Sequence, residues 1–448
     1  MGAKRANRDP PINIIHTKIW RLAGPLMLSN ISIPLLGIID TAILGHLDTP
    51  QYLGAAAVGG NIMALVLWTF AFLRMGSTAL VAQQYGAGNA ASIQLTVVRS
   101  LVLAGVIGVV LLTARTPLIA SALHLIDASA QVDPLARSYS EIRFYSVPAV
   151  LFTYCLTGWL IGSQATRAVM LIIITTNLLN IALDYLFIVV YGWNSDGAAL
   201  ATVVAEYVGC AIAFSLLWHR YRGRWQLSLA ALRDSAALVG LLRINADLML
   251  RTLCLLLCFL FFTAQGARAG DIILAANTIL MQLLLLSAFA LDGFAHACES
   301  LCGFELGGGR VKQFYTTVRA CLLWSVYSAV GISLVFFLLQ APIIAGFTDI
   351  DAVRTQLHRF FPWLIALPLV SVWSYLFDGV FIGAAKTQAM RNSMIVSAVL
   401  IYLPVWYVAQ PLGNHGLWLA FNLFMAARGI TLGVVFLYYS RQEKWLTA

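Results

Sequence analysis

The chain has 448 residues, of which 60% are hydrophobic and only 10% are charged. A soluble protein could not bury so much apolar surface, so this composition excludes the soluble globular classes and indicates a lipid bilayer as the solvent. The formal net charge of +9 would suit a nucleic-acid ligand, but the distribution of the basic residues gives the charge a different meaning.

Apolar stretches long enough to cross a bilayer recur twelve times. We predict helices near residues 18–46, 54–82, 94–113, 138–162, 167–190, 196–219, 237–265, 271–301, 314–340, 355–383, 388–409 and 414–440. The sequence thus predicts an all-α integral membrane protein with two six-helix lobes. The N-terminal lobe takes residues 1–219, a basic cytoplasmic linker 220–236 and the C-terminal lobe 237–448. The longer outer loops are expected at 114–137 and 341–354.

The basic residues lie mostly in alternate loops. With the N-terminus assigned to the cytoplasm, the inner side has 19 Lys and Arg. The outer side has six, namely Arg115, Arg137, Arg143, Arg268, Arg354 and Arg359. This positive-inside bias predicts a multi-pass protein of the bacterial cytoplasmic membrane with both termini in the cytoplasm. The basic excess therefore reflects topology and not a nucleic-acid surface.

Several other chemistries find little support in the sequence. Cys254/Cys258 and Cys298/Cys302 have helical spacing, but no His cluster accompanies them, so small packing residues are the better interpretation. The chain has no GxxxxGK[ST] loop and no GxSxG motif. We therefore predict no enzymatic activity, no metal centre and no organic cofactor.

An internal repeat with an offset of 221 residues runs through the chain. The matching positions in the two halves are Gly45 and Gly266, Leu53 and Leu274, Gly86 and Gly307, Gly88 and Gly309, Gly162 and Gly383, and Thr166 and Thr387. Small residues also gather at ordinary helix contacts, but six matches at one offset favour a duplication. Because each half has an even number of spans, the pseudo-symmetric repeats must run parallel, with a central cleft between the lobes.

The acidic residues break this symmetry. The positions that correspond to Asp40, Asn180 and Asp184 are Phe261, Ile401 and Val405. Matching glycines indicate a shared backbone, whereas unmatched acids indicate a task performed by the first half alone. In an apolar chain, this combination is typical of a transporter with its energy-coupling site in one lobe.

Helix counting brings the candidate residues of the first lobe together. At about 1.5 Å per residue, Asp40, Asp184 and Thr202 lie at similar depth in the outer part of this lobe. Asn177, Asn180 and Asp184 follow i, i+3, i+7 and share one helix face. Charges inside a span cost several kcal/mol, so a buried pair of acids favours a function over a polar clamp between helices.

Two coupling chemistries remain open from the residues alone. Burial and a neighbouring carboxylate both favour the neutral form of a carboxyl group, which suits a proton carrier. The same oxygen-rich set could hold a hard cation such as Na⁺. Pro25 and Pro34 each remove a hydrogen bond from the first helix, which predicts either a fixed kink or a helix that bends during coupling.

The second half has its own charged residues. Asp292 and Asp378 fall in the cytoplasmic portion of their predicted helices, where gating pairs or interfacial solvation explain them as well as a substrate site would. The sequence assigns no role to the remaining charged residues within spans, Arg74, Glu206, Asp247, Arg251, Glu299 and Arg428.

Several of these segments resemble the multidrug and toxic compound extrusion (MATE) family, and most closely its DinF-like branch. The resemblance spans nearly the whole chain. It rests on Gly24–Leu26 and Leu36–Leu47 of the first helix, Leu73–Gly76, Gln83–Gly88, Asn177–Asp184, Asp292–Ala295 and Asp378–Gly383. The resemblance implies antiport, in which cytotoxic organic compounds leave the cell while protons or sodium ions enter.

The resemblance also implies roles for individual residues. Asp40, Asn180, Asp184 and Thr202 match the cation site of this branch, where protonation bends the first helix and expels the substrate. Other branches place coupling acids in the second lobe, but here the middle of the seventh helix reads Cys254–Phe259 and has no carboxylate. The expected partners are a small-molecule substrate and the bilayer, and the expected state is a monomer.

Alternatives differ in substrate or in class. Within transporters, sodium coupling at the same site and flipping of a lipid-linked substrate both remain open. A receptor or scaffold without transport would keep Asp40 and Asp184 ionised regardless of ligand. An intramembrane hydrolase lacks a nucleophile with a recognisable base.

Overall fold

The computed structural model describes residues 12–47, 49–126, 129–225 and 228–446. Within these ranges the regular structure is helical, and no strand occurs. The helices of the first half are α1 (Ile12–Gly45), α2 (Pro50–Thr69), α3 (Phe72–Gly86), α4 (Ala90–Thr113), α5 (Arg115–Ile126), α6 (Asp133–Phe144), α7 (Val147–Gly162), α8 (Thr166–Asp184) and α9 (Asn194–Tyr221). Those of the second half are α10 (Leu229–Leu232), α11 (Ser235–Arg268), α12 (Asp271–Gly307), α13 (Val311–Leu338), α14 (Gln340–Phe347), α15 (Asp351–Gly383), α16 (Thr387–Val396), α17 (Leu403–Val408) and α18 (Asn414–Arg441).

The predicted all-α membrane fold is confirmed. In the described residues, eleven helical segments are long and apolar enough to cross a membrane, and a twelfth is a pair of helices, α6 and α7, bent by 47°. Each coincides with one predicted span. The chain is therefore a multi-pass membrane protein. Lys4, Arg5 and Arg8, which contributed to the charge bias, lie outside the described residues.

The two predicted outer loops are largely helical, and the expectation of loops there is wrong. Residues 114–137 contain α5 and the start of α6, and residues 341–354 contain most of α14. In α5, Ile119 and Leu123 are buried one turn apart, while Leu118 and Leu125 are exposed. Residues four apart share a helix face, so burial of that apolar face stabilises the helix although it is too short to span.

The backbone repeats with the same 221-residue offset as the sequence. Left-handed backbone conformations occur in matching pairs at Gly88 and Gly309, Gln164 and Ala385, and Gly192 and Gly413. Helix starts match as well, at Pro50 and Asp271, Ala90 and Val311, and Thr166 and Thr387. Such conformations are uncommon outside glycine, so three pairs at one offset indicate that the two halves have the same fold.

The helices form two compact units. The N-terminal unit comprises residues 28–85 and 89–256, and the C-terminal unit comprises 257–448 with 86–88 and the described part of 1–27. The N-terminal unit has a core cluster of Leu44, Tyr139, Ile188, Ala198 and Ala199, whereas Leu291, Ala329 and Val372 form one in the C-terminal unit. The helix α1 passes from one unit to the other after Met27, and α11 does so after Leu256. The predicted lobe boundaries at 219 and 237 describe the sequence repeats, and they stay a prediction.

The basic linker is attached to α4 of the N-terminal unit. The side chain of Gln94 donates a hydrogen bond to the carbonyl of Arg224 at 3.1 Å. Arg99 donates to the carbonyl oxygens of Ala231 and Leu232, at the end of α10. These contacts satisfy backbone groups that would otherwise lack partners at a helix end.

Gly379 lets α15 approach α12 closely within the C-terminal unit. A Cβ atom at Gly379 would overlap the carbonyl oxygen of Ala295, whereas a Cβ at Gly331 in α13 would meet nothing. Overpacking costs about 1–3 kcal/mol, while alanine in an open helical position is neutral or stabilising. We expect Gly379→Ala to lower the thermal unfolding temperature of the purified protein and Gly331→Ala not to. Equal unfolding temperatures for the two variants would contradict this close approach.

Candidate ion-coupling site

Asp40 and Asp184 meet in the N-terminal unit. Asp40 lies near the end of α1, and Asp184 is the last residue of α8. Asp184 is completely buried, and the two carboxyl groups lie close enough to interact directly. Leu44, one turn beyond Asp40 on α1, packs in one core cluster with Tyr139 of α6. The structure therefore brings together two acids that are 144 positions apart in the sequence.

Few protein donors reach this pair. Among the described residues, Oδ1 of Asp40, both carboxyl oxygens of Asp184 and Oδ1 of Asn180 are buried and receive no hydrogen bond. A carboxylate can only accept hydrogen bonds, so two carboxyl groups in contact can bond only when one holds a proton. Two adjacent buried charges without donors are costly. The geometry therefore favours binding of a proton or a small cation.

Asn180 lies one helical turn before Asp184 and contacts Thr202 of α9. Asn180 is buried, and its Nδ2 donates to Oγ1 of Thr202 at 3.3 Å. The Thr202 hydroxyl donates to the carbonyl of Ala198 at 3.0 Å. With the amide hydrogens of Asn180 turned to Thr202, its Oδ1 is left as a further acceptor.

Asn177, which shares a helix face with Asn180 and Asp184 and is a possible secondary or gating residue, contacts α1. Its Nδ2 donates to Oγ of Ser32 in α1 at 2.8 Å, and that hydroxyl donates to the carbonyl of Ser29 at 2.7 Å. Ser32 lies two residues before Pro34. Asn177 therefore connects α8 to the proline-containing part of the helix that carries Asp40.

A π-helical segment, Tyr185–Val190, begins directly after Asp184. A π-helical turn contains an extra residue, so it rotates the chain that follows relative to a regular helix, and such turns are frequent at functional sites. In the sequence, residues 167–190 look like one uniform apolar span. No residue pattern that we recognised predicts this turn.

An ion pair beside the two acids was not predicted. Nη1 of Arg143 lies 3.1 Å from Oε2 of Glu206, and both side chains are largely buried. The sequence counted Arg143 among the six basic residues of the outer side and gave it no partner within the protein. Arg143 lies near the end of α6, just before the bend to α7, and its side chain is largely buried. Glu206 of α9 thereby gains the partner that the sequence did not identify. Arg74 lies on α3. Tyr154 of α7 is close to both Arg74 and Glu206.

The corresponding place in the second half is apolar. The ring of Phe261, which stands for Asp40, contacts Tyr402 and Trp406 edge to face, with centroids 5.6 and 4.9 Å apart. The residues at the 221-residue offset from Asn180, Asp184, Arg143 and Glu206 are Ile401, Val405, Leu364 and Ala427. Neither these four residues nor Phe261 can take up or release a proton near neutral pH. The two repeats share their fold, and only the first has the acid pair.

The other predicted residues have separate environments. Asp378 pairs with Arg428 at 2.8 Å inside the C-terminal unit. Asp292 lies part-buried in α12, and neither acid belongs to the unit that contains Asp40. Pro25 and Pro34 lie within α1, which is a single helix, so a change in its shape during coupling stays a prediction.

The remaining charged residues within spans are also buried. Glu299 is completely buried, and Oε2 lies 3.3 Å from Nδ1 of His296. Asp247 and Arg251 are buried one turn apart in α11. In the described parts of the chain, no three His, Cys, Asp or Glu side chains are grouped as ligands for a metal ion.

The MatE family model matches the chain twice, over residues 25–186 and 248–408. The two matches cover more than half of the chain and fall one in each repeat. The chain belongs to the MATE family of membrane transporters. The first match includes Asp40, Asn180 and Asp184, while the second includes their apolar counterparts, so family membership does not require the acids in both repeats.

Relatives of this MATE transporter extend over its full length. It is 41% identical to DNA damage-inducible protein F of Escherichia coli over 96% of this chain and 94% of the relative. It is 25% identical to the probable multidrug resistance protein NorM of Thermotoga maritima over 96% of this chain and 94% of that protein. A solved MOP superfamily transporter from Pyrococcus furiosus has the same fold. It matches with a TM-score of 0.87 at 20% identity, over 99% of this chain and all of that one.

Proposed function

We propose that this protein is a proton-driven antiporter that exports amphipathic organic compounds. The main support is the buried contact between Asp40 and Asp184, whose oxygen atoms receive so few hydrogen bonds. Such a pair gains stability when a proton enters and loses it when the proton leaves. The multidrug resistance name of the Thermotoga maritima relative supports an organic substrate. We further propose a monomer in a bacterial cytoplasmic membrane with both termini in the cytoplasm.

The proposed cycle uses the position of Asp40 on α1. When the pair takes up a proton, the two carboxyl groups can share it, and α1 is drawn toward α8. When the proton leaves, repulsion between two charges in a poorly solvated place separates the same groups. The hydrogen bond between Asn177 and Ser32 connects the two helices at a second level. Proton uptake and the shape of α1 are thereby coupled, and a change in α1 then releases the substrate.

Sodium is the second candidate for the coupling ion. The carboxyl oxygens of Asp40 and Asp184, Oδ1 of Asn180 and the hydroxyl of Thr202 are hard oxygen ligands close together. A Na⁺ ion prefers such ligands, as other hard cations do. The absence of other donors supports both ions, since either would supply the missing positive charge.

A transport assay with separate gradients tests the proposal. Purified protein in liposomes receives a pH gradient without a sodium gradient, or the reverse, and uptake of a fluorescent lipophilic cation is followed. We expect uptake to follow the pH gradient, to collapse with a protonophore and to be absent from protein-free liposomes. Uptake that follows only the sodium gradient would identify the alternative ion, and no uptake under either gradient would contradict antiport of this substrate class.

A further inference from the structure

Arg143 lies at a bend in the fourth span, beside the acid pair. It lies at the junction of α6 and α7, where the fourth span bends by 47°. Nη1 of its guanidinium donates to Ser146 Oγ as well as to Glu206, both at 3.1 Å. In turn the Ser146 hydroxyl donates to the carbonyl of Arg143 at 2.9 Å. Tyr207 of α9 donates to the Tyr145 carbonyl at 3.0 Å, so α9 holds this bend at two successive residues.

The guanidinium and the acid pair both have unused hydrogen-bonding capacity. Nε of Arg143 is buried and has no acceptor among the described residues, and the carboxyl oxygens of Asp184 have no donor. The positive charge is close enough to act on both Asp40 and Asp184. A buried donor and buried acceptors that are unused in the same place are costly unless another arrangement uses them.

The titratable groups around Arg143 come from every neighbouring helix. Asp40 is on α1, Tyr139 on α6, Asp184 on α8 and Glu206 on α9. Glu206 in addition faces Tyr154 of α7, which is near Arg74 of α3. Arg143 and Glu206 neutralise each other, so the charge of Asp40 and Asp184 is left for the coupling ion.

The ion pair occurs in the repeat that has the acids. The second repeat, which lacks the acids, has Leu364 and Ala427 at the 221-residue offset from Arg143 and Glu206. The bend also occurs in the first repeat only, because the corresponding span of the second is the single helix α15. An ion pair buried in a membrane is weak support for stability when apolar residues do as well. A clamp at the bend would therefore not need charged residues, and the position of the pair beside the acids points to the ion site.

We propose that Arg143 is a positioning residue that competes with the coupling cation for Asp40 and Asp184, and that Glu206 holds it away from them. This inference rests on the proposed antiport function. While Arg143 is bound to Glu206, the acid pair needs an external cation. If Arg143 were released, its guanidinium would neutralise the acids in place of that cation, and the site would no longer couple transport to a gradient.

Variants of the two partners test this inference, because they are expected to shift the pH of half-maximal transport in opposite directions. Glu206→Gln releases Arg143, so more acid is needed, and the pH of half-maximal transport falls by about one unit or more. Arg143→Gln leaves Glu206 as a third negative group near the pair. The pH of half-maximal transport therefore rises by a similar amount. The double variant restores a half-maximal pH near that of the wild type. Among the variants, Arg143→Lys has the half-maximal pH closest to the wild-type value. All are measured in liposomes at equal amounts of folded protein.

Arg137→Gln is the matched control, because Arg137 lies on the same helix in an exposed pair with Asp133. An unchanged half-maximal pH in both single variants, with only the maximal rate reduced, would show a structural clamp and overturn the inference. Shifts of the same sign would also overturn it. If Glu206→Gln does not fold, Glu206→Asp makes the same test by shortening the reach to Arg143.

The outcome separates the inference from the proposed function. If wild-type transport follows the pH gradient and the variants do not shift its half-maximal pH, the inference alone fails. If wild-type transport follows sodium, proton coupling fails, but Glu206→Gln must raise and Arg143→Gln must lower the half-saturating sodium concentration. Transport that responds to neither ion overturns both.

Discussion

Asp40→Asn is expected to reduce proton-driven export to the level of protein-free liposomes while leaving the protein folded. Asparagine has nearly the same shape as aspartic acid but cannot release a proton, so Asp184 loses the partner with which it shares one. Removing one of two adjacent buried acids also relieves repulsion. The thermal unfolding temperature should therefore be unchanged or higher. Proton-driven uptake and thermal unfolding of the same preparation are the two measurements.

Asp196→Asn serves as the control for this prediction. Asp196 is another acid of the N-terminal unit, in the first turn of α9, and its Oδ2 accepts a hydrogen bond from Ser138 at 3.0 Å. The amide oxygen of asparagine can accept the same bond, so export should stay near the wild-type rate. Intact proton-driven uptake in Asp40→Asn would eliminate the acid pair as the coupling site. A variant that fails to fold would instead favour the polar clamp between helices.

Asp378→Ala is expected to destabilise the C-terminal unit by about 3–5 kcal/mol. The side chains of Asp378 and Arg428 are 10% and 2% exposed, with 2.8 Å between their charged atoms. Removing the carboxylate takes the salt-bridge partner from a guanidinium that is 2% exposed. Replacing both partners by apolar residues, as in Asp378→Leu with Arg428→Met, should recover most of the loss. Thermal unfolding in detergent and the yield of monodisperse protein measure the effect.

The exposed pair of Asp349 and Arg354 provides a comparison in the same unit. Their charged atoms are 2.7 Å apart, but the side chains are 99% and 33% exposed. Water and salt screen such a pair, so Asp349→Ala should change stability by no more than about 1 kcal/mol. Equal losses for Asp378→Ala and Asp349→Ala would mean that burial does not determine the cost. An unrecovered double variant would indicate that Asp378 has a function beyond pairing.

The features with a strong periodic signal could be predicted from the sequence. Apolar length identified all twelve spans, because a helix must be about 20 residues long to cross the bilayer. The 221-residue offset was visible because close helix contacts need small residues, and the glycines at 88 and 309 adopt left-handed conformations. Depth counting placed Asp40, Asp184 and Thr202 together, since regular helices convert residue number into height.

Features that depend on broken periodicity could not be predicted. Arg143 lies within the predicted span 138–162, next to the bend between α6 and α7, and the apolar pattern does not show that bend. Its partner Glu206 is 63 positions away, so no local pattern connects them. The π-helical segment after Asp184 changes the rotation of the chain without a composition signal. The short helix α5 was missed because length was the main criterion for a helix.

In the second repeat, Phe261 stands in place of Asp40 and packs against aromatic rings, so that repeat has no acid pair. This limits the stoichiometry of the proposed exchange. Because only one lobe has the acid pair, this pocket can move at most two protons in a cycle. With one pH unit and 100 mV, each proton releases about 3.7 kcal/mol. Two protons could then sustain a concentration ratio of about 10⁵ for a neutral substrate. A duplicated pocket would have doubled that free energy, so the loss of symmetry limits how far this transporter can concentrate its cargo.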